Sequence, residues 1–351
     1  MQKLGIYIHW PFCLSKCPYC GFFSRVQKKV PQAELIKEYL ADLAYYRSLN
    51  DNYRVESIFF GGGTPSLLEP QHIAAIIDKV QSLWSCADDL EISLEANPNS
   101  NHPNLFTDLK SAGINRLSLG VQALKEEDLK FLGRTHSLQD AYQAIDSVLK
   151  NFDNHSMDLI YARPKQSPAL WEQELQQAAK LGFKHLSLYQ LMIDEETAFA
   201  KKGVKVLEDE PACELYELSG SLLKKNGYNQ YEISNYAKTG FECRHNLGYW
   251  HGDDYVGVGN GAIGYLHHQD KIFMTSHPRI LEEVSPQERA EELVIMGLRL
   301  NEGIDKKLIP NPEKLEKLKA ENLLEENGNK IRVTSEGRLL LDYVIVNLLM
   351  L

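Results

Sequence analysis

Gly5-Ile6-Tyr7-Ile8-His9-Trp10, running straight into Pro11-Phe12-Cys13-Leu14-Ser15-Lys16-Cys17-Pro18-Tyr19-Cys20, sets a short apolar strand immediately before a loop carrying three thiols. The Cys-x3-Cys-x2-Cys spacing offers three soft ligands within eight residues, short enough for one loop to wrap a single metal centre. Three ligands leave one coordination position open. An iron–sulfur cube with one iron free of protein ligands fits that count better than zinc, which wants a fourth ligand within reach; His9 is read as lying along the strand, not in the loop. Cys86, Cys213 and Cys243 are scattered, so the crowding of the other three argues for metal or redox chemistry in a reducing compartment and against disulfides.

Outward from this strand, apolar runs rich in β-branched and aromatic residues recur at Ser57–Phe60, Leu90–Glu95, Arg116–Val121, Met157–Tyr161 and His185–Gln190. Stretches of helical period lie between them, as at Gln32–Leu49, Pro70–Leu83 and Ser137–Lys150. The alternation predicts a parallel α/β sheet with helices outside. Six repeats predict a partial, TIM-like (β/α)6 barrel, with an open doubly wound sheet as the alternative. In a barrel the loops that follow the strands gather at one mouth. Gly61-Gly62-Gly63-Thr64-Pro65-Ser66 then faces the cysteine loop, its glycines letting backbone amides approach a ligand. Glu95, Gln122, Asp158 and Tyr189 stand at or near strand ends around the same mouth.

From Asn235 to about Tyr265 the chain is rich in Gly, Asn, aromatics and His and reads as an elaborated loop region, not another helix and strand pair. After Ser285-Pro286 the pattern becomes a small winged-helix-like unit, with helices at Gln287–Leu300 and Asn311–Glu321, a strand at Lys330–Thr334 and a helix at Ser335–Met350. The expected division is 1–235, 236–280 and 281–351.

The 351 residues, 43% hydrophobic and 25% charged, exclude disorder and fibrous classes. With 38 basic against 48 acidic residues the net charge is −10, and residues 281–351 alone hold 14 acidic and 10 basic side chains, so nucleic acid is not an expected partner. The N-terminus lacks a long apolar core and does not read as a signal peptide, which predicts a cytoplasmic chain. The longest apolar run, Leu339–Leu351, is broken by Asp342 and Asn347 and falls well short of the roughly 20 residues a bilayer demands.

Tyr7–Cys13 with Cys17-Pro18-Tyr19-Cys20, then Gly61–Ser66, Glu91–Pro98, Arg116–Gln122, Leu132-Gly133-Arg134 and Asp158–Tyr161, resembles the radical S-adenosylmethionine (SAM) proteins over almost the whole chain, and within them the group of oxygen-independent coproporphyrinogen oxidases. The resemblance implies that Cys13, Cys17 and Cys20 hold a [4Fe–4S] cluster and that one electron cleaves the sulfonium of SAM. It further implies that Tyr19 packs on the adenine, that Gly62, Gly63 and Thr64 hold the methionine end, that Glu95, Gln122, Arg134 and Asp158 contact the rest, and that Tyr7 lies beside it. Three features point away from the oxidases themselves. Phe22 stands where they carry a further cysteine, only six residues precede Tyr7, and Cys243-Arg244-His245-Asn246-Leu247-Gly248-Tyr249-Trp250 contains the His-Asn-x-x-Tyr-Trp signature of a haem-chaperone branch. Ala162-Arg163-Pro164 stands where relatives have Gly-Leu-Pro, and Asp194–Thr197 replaces a Pro-Gly turn.

A neutral imidazole at His245 is a good axial ligand for haem iron, and Tyr249 and Trp250 offer flat apolar surface with polar tips. Cys243 is the alternative ligand, and the residues alone do not choose between them. The expected function is that of a haem chaperone binding a [4Fe–4S] cluster, SAM and haem, and passing haem to haem-requiring proteins such as respiratory cytochromes, at the inner face of the membrane, with a homodimer compatible. A coproporphyrinogen III oxidase, or a radical SAM enzyme on another substrate, is the rival.

Overall fold

Leu4, Ile6, Ile8 and Trp10 alternate with Gly5, Tyr7 and His9 along the first strand, β1 (Gln2–Trp10), and that period of two sorts the whole barrel into an outer and an inner face. The protein is seen in a computed structural model that describes residues 1–49, 52–98 and 104–349. The next strands are β2 (Tyr53–Gly62), β3 (Ser85–Ala96), β4 (Arg116–Gln122), β5 (Asn154–Tyr161) and β6 (His185–Gln190). All run parallel to their neighbours, in sequence order from β1 to β6. The outward positions, including Ile58, Phe60, Ile92, Leu94, Leu117, Leu119, Met157, Leu159, Leu186 and Leu188, are sealed beneath the helices.

The helices take their places by ordinary rules. α1 (Gln32–Leu49) and α2 (Pro70–Leu83) turn Ile36, Tyr39, Leu43, Ile73, Ile76 and Val80 toward the sheet. α3 (Leu105–Ser111) and α4 (Glu126–Phe131) are short, and α5 (Leu138–Asn151) starts from a capping box of Ser137 with Asp140. α6 (Pro168–Lys180), the single turn α7 (Ala198–Lys201) and α8 (Asp209–Lys225) complete the outer layer.

The stretch expected to be an elaborated loop is instead a helix and strand pair: α9 (Arg244–His251), then β7 (Asp254–Val258), which adds a seventh parallel strand on the free side of β1, with Ile6 opposite Val256. The pair escapes a reading by pattern because α9 has no buried residue to set a helical stripe and β7 contains Gly257, whose missing side chain admits the Ile263 carbonyl. Beyond β7 the sheet continues antiparallel through β8 (Ile263–His268), β9 (Lys271–Ser276) and β10 (Ile280–Val284), and on its other side Asn235–Ala237 pairs antiparallel with β6 and with the edge pair Asn229–Gln230.

The C-terminal unit has a core of its own, built on Val294, Leu298, Leu315, Leu318, Ile331, Val344 and Leu348. Its helix α10 (Pro286–Gly297) begins at a second capping box, Ser285 with Glu288. A further helix, Pro312–Ala320, and a three-stranded sheet whose hairpin joins Leu324–Asn327 to Lys330–Val333 give it the helix-and-wing form. The expected last helix is two, Ser335–Leu339 and Leu341–Leu349, and Met350, its expected end, lies outside the described residues. No helix among the described residues is long and apolar enough to cross a membrane.

Candidate functional site

β1 ends at Trp10 and delivers the chain into the thiol loop, where the Cys20 amide donates to the Cys17 carbonyl (3.1 Å) and turns the loop back on itself. Side chains from other strand-end loops reach the sulfurs. Thr64 Oγ1 donates to Cys13 Sγ and Arg134 Nη1 to Cys17 Sγ, each at 3.4 Å. Asn97 joins the two donors: its Nδ2 donates to Thr64 Oγ1 (3.2 Å) and its Oδ1 accepts from Arg134 Nη2, which also donates to the Gly120 carbonyl (2.9 Å). The loops after β1, β2, β3 and β4 are thus tied into one network that aims donors at sulfur, an arrangement suited to thiolates. All three thiols are free and partly buried, and burial pushes the Cys20 thiol up. Among the described residues no three His, Cys, Asp or Glu side chains are arranged to hold a single metal ion. The loop presents three soft donors, the ligand type that thiophilic metals and iron–sulfur clusters take.

In the glycine-rich loop, Gly63 donates to the Trp10 carbonyl (2.7 Å) and Thr64 to the Phe12 carbonyl (2.9 Å), zipping this loop to the cysteine loop. Glycine is demanded at 63 because a Cβ there would lie 2.6 Å from the Phe12 oxygen, and at 62 by φ of +106° and by the His9 ring 2.7 Å away. His9 is held between Tyr7 Oη and the Phe23 carbonyl, both at 3.0 Å, which fixes it along the strand as expected. Ala162 has a left-handed backbone (φ +57°), and Arg163 makes a buried ion pair with Glu174.

Inside the barrel lies a cavity of about 570 Å³. Most inward positions of the strands are polar: Ser57, Glu91, Ser93, Glu95, Arg116, Ser118, Ser156, Asp158, His185 and Ser187, with Phe59 an aromatic exception. Of the residues expected at the mouth, Tyr7, Glu95, Asp158 and Tyr189 line this cavity. Burial, with the Asp158 charge adding to it, pushes the Glu95 carboxyl up to about 8. Burial also raises Asp158, against the hydroxyl of Ser118 that donates to it at 2.9 Å. Gln122 has φ of +72° and a buried Oε1 without a partner, and Arg134 stands beside it through Gly120. Tyr19 lies apart from the cavity, against Phe199 of α7 at 6.4 Å between ring centroids.

His245, Tyr249 and Trp250 reach the same cavity from α9. The imidazole stacks on Phe59 (5.1 Å, 22°) and Tyr7 (6.2 Å, 26°), and its Nδ1 meets Ser57 Oγ at 2.9 Å. Burial lowers its pKa to about 4, so it is neutral. Cys243 does not line the cavity; it caps α9 from behind, fully buried, with Sγ 3.5 Å from Glu91 Oε1 and burial pushing the thiol up to about 12. The C-terminal unit braces this segment: Arg289 of α10 donates to the Gly252 carbonyl (2.6 Å) and lies over Tyr265, and Arg299 lies over Trp250.

Sequence reading missed Glu91, Asn97, Arg116, His185, Tyr255 and Tyr265. Arg116-x-Ser118, Ser156-x-Asp158 and His185-x-Ser187 did carry a signal, a polar residue at every second position of three successive strands, facing inward.

The radical SAM superfamily model matches residues 7–185 and the HemN C-terminal domain model residues 284–340. Similar chains include the haem chaperone HemW of Haemophilus influenzae (34% identity, covering 98% of this chain and 97% of the relative) and that of Escherichia coli (39%, covering 80% and 75%). The mitochondrial radical S-adenosyl methionine domain-containing protein 1 of Danio rerio is 33% identical, covering 99% of this chain and 87% of the relative. Among solved structures, the coproporphyrinogen III oxidase HemN of Escherichia coli, a radical SAM enzyme, superposes with a TM-score of 0.82 at 21% identity, covering 99% of this chain and 90% of that one, a likeness of fold.

Proposed function

The chain belongs to the radical SAM superfamily, among its HemW-type proteins, and from that premise we propose that it takes haem into the barrel cavity and passes it to haem-requiring proteins, respiratory cytochromes among them, working in the cytoplasm and at the inner face of the membrane. Membership implies a [4Fe–4S] cluster and SAM. Cys13, Cys17 and Cys20 would hold the cluster, while Tyr7, Tyr19, Gly62, Gly63, Thr64, Glu95, Gln122, Arg134 and Asp158 would surround SAM. Together the two groups supply one-electron chemistry when bound. Asn97 and Arg134 keep the sulfur-facing donors in register, and the Gly63 and Thr64 amides fix the cysteine loop on β1.

The observation that carries the haem reading is His245. In the tautomer whose Nδ1–H donates to Ser57 Oγ the ring is oriented in the cavity wall, and its neutrality at physiological pH leaves the Nε2 lone pair for iron. Tyr249, Trp250, Tyr255 and Tyr265 add aromatic surface on the same side. Cys243 is withdrawn behind the cavity, which supports His245 over it as axial ligand. His245→Ala should lose or shift the Soret band of bound haem with iron–sulfur content unchanged, and Cys243→Ser should leave the spectrum nearly as before. The reverse pattern would make Cys243 the ligand, and two silent variants would remove the haem role of α9. Anaerobic conversion of coproporphyrinogen III to protoporphyrinogen by the reconstituted protein would overturn the chaperone reading in favour of the oxidase.

A further inference from the structure

Arg116 opens β4, is 2% exposed and lines the barrel cavity. A buried guanidinium normally sits in a bidentate ion pair, because an unpaired buried charge is among the costliest groups a fold can carry. Here the acids around it are engaged elsewhere. Glu91 accepts from the amides of Arg244 (3.0 Å) and His245 (3.3 Å), from the Cys243 thiol and from Ser93. Asp158 accepts from Ser118 and, at 3.5 Å, from Ser156. Among the described residues no carboxylate pairs with Arg116, and its Nε is buried without a partner. Close by, His185 is turned away, held between Ser156 Oγ (2.7 Å) and Tyr231 Oη (2.8 Å), and the Oδ1 of Asn235, another residue of the cavity wall, is also unpartnered.

Another part of the cavity wall, carried by strands far from β4 in the sheet, is of a different character. Ile263 and Met274, on β8 and β9, line it together with Tyr255 and Tyr265. A ligand matching both parts has a flat apolar body with carboxylates along one edge only.

We propose that Arg116 is the carboxylate receptor of the cavity: it takes a propionate of the haem, so that the propionate edge enters the barrel while His245 meets the iron and the apolar edge stays toward Ile263 and Met274. The proposal rests on the haem reading and adds the orientation of the cargo. A planar guanidinium and a carboxylate make two parallel hydrogen bonds, stronger than neutral ones, in a site from which water is largely excluded.

The test is a Soret titration of the wild-type protein with haem and with haem dimethyl ester, whose propionates carry no charge, repeated on Arg116→Lys and Arg116→Gln. Wild type should bind haem about tenfold or more tighter than the ester, the order expected of one charge-assisted contact. Arg116→Gln should bind the two alike, and Arg116→Lys should keep part of the preference. Equal affinities in the wild type, which needs no variant to fold, or an undiminished preference in Arg116→Gln, would overturn the assignment while leaving haem binding in place. No Soret band with either porphyrin would remove the haem reading and this inference with it.

Discussion

Glu91→Gln should unlock α9 from the barrel. Glu91 is 4% exposed and its carboxylate gathers four donors: the Arg244 amide (3.0 Å), the His245 amide (3.3 Å), the Ser93 hydroxyl (3.1 Å) and the Cys243 thiol (3.5 Å). Two of these are the unpaired amides at the start of α9, so the carboxylate is a cap supplied from another element, 153 positions away in sequence from the first of them. A glutamine keeps the shape but turns one acceptor oxygen into an NH2 that faces a donor. The loss comprises one charge-assisted hydrogen bond, about 1.5–3 kcal/mol, and the favourable placing of a negative charge at a helix N-terminus, roughly 1 kcal/mol. About 3 kcal/mol in all is expected. At urea slopes of about 3 kcal/mol/M or more for a chain of this size, that moves the unfolding midpoint down by up to about 1 M. Because the same amide bond positions His245, haem affinity should fall in parallel. A midpoint within about 0.2 M of wild type, together with an unchanged Soret titration, would refute the argument that this single carboxylate holds the helix.

Cys17→Ser should abolish the iron–sulfur absorbance and the bound iron of anaerobically reconstituted protein, and a full complement of iron would sink the cluster assignment, whereas Cys86→Ser should keep it. Glu95 titrates above its unfolded range, so the folded state holds a proton that the unfolded state gives up; stability should decline as pH rises from about 4.5 to about 8 and then level, and Glu95→Gln should flatten that slope in urea midpoints taken at pH 5 and pH 8. An unaltered slope would place the protonated group elsewhere. Ala162→Gly should raise the midpoint by the equivalent of about 1 kcal/mol, since alanine is strained at φ +57°, and a lowered midpoint would show that the left-handed conformation is not maintained in solution.

The frame was legible because burial on one face writes a period: α1 and α2 occupy the residues their apolar spacing marks, and β6 begins and ends where its run does. The cysteine loop was legible because ligand chemistry needs a fixed spacing. The partners of those thiols were not, since Thr64, Asn97 and Arg134 come from three separate loops and meet through closure of the sheet. β7 was missed for a related reason: its pairing with β1 joins residues some 250 positions apart, and the helix before it shows solvent no apolar stripe to betray it. Arg116 and Glu91 lie within runs that read as strands but are given no role by that reading, because parallel strands covered on both sides are expected to be apolar on both. Here one of the two sides is a cavity wall.

The row of inward serines has a consequence for what the barrel can accommodate. A hydroxyl turns about its Cβ–Oγ bond and changes from donor to acceptor without displacing a heavy atom. Ser57, Ser118, Ser156 and Ser187, spread over four strands, line or border the cavity, and three of them are already bonded to His245, Asp158 or His185. A guest that brings a negative edge meets hydroxyl dipoles that can turn toward it, at the cost of the bonds Ser57, Ser118 and Ser156 make in its absence. Between an empty and a filled cavity the wall can exchange hydrogen bonds by turning hydroxyls, without moving a heavy atom.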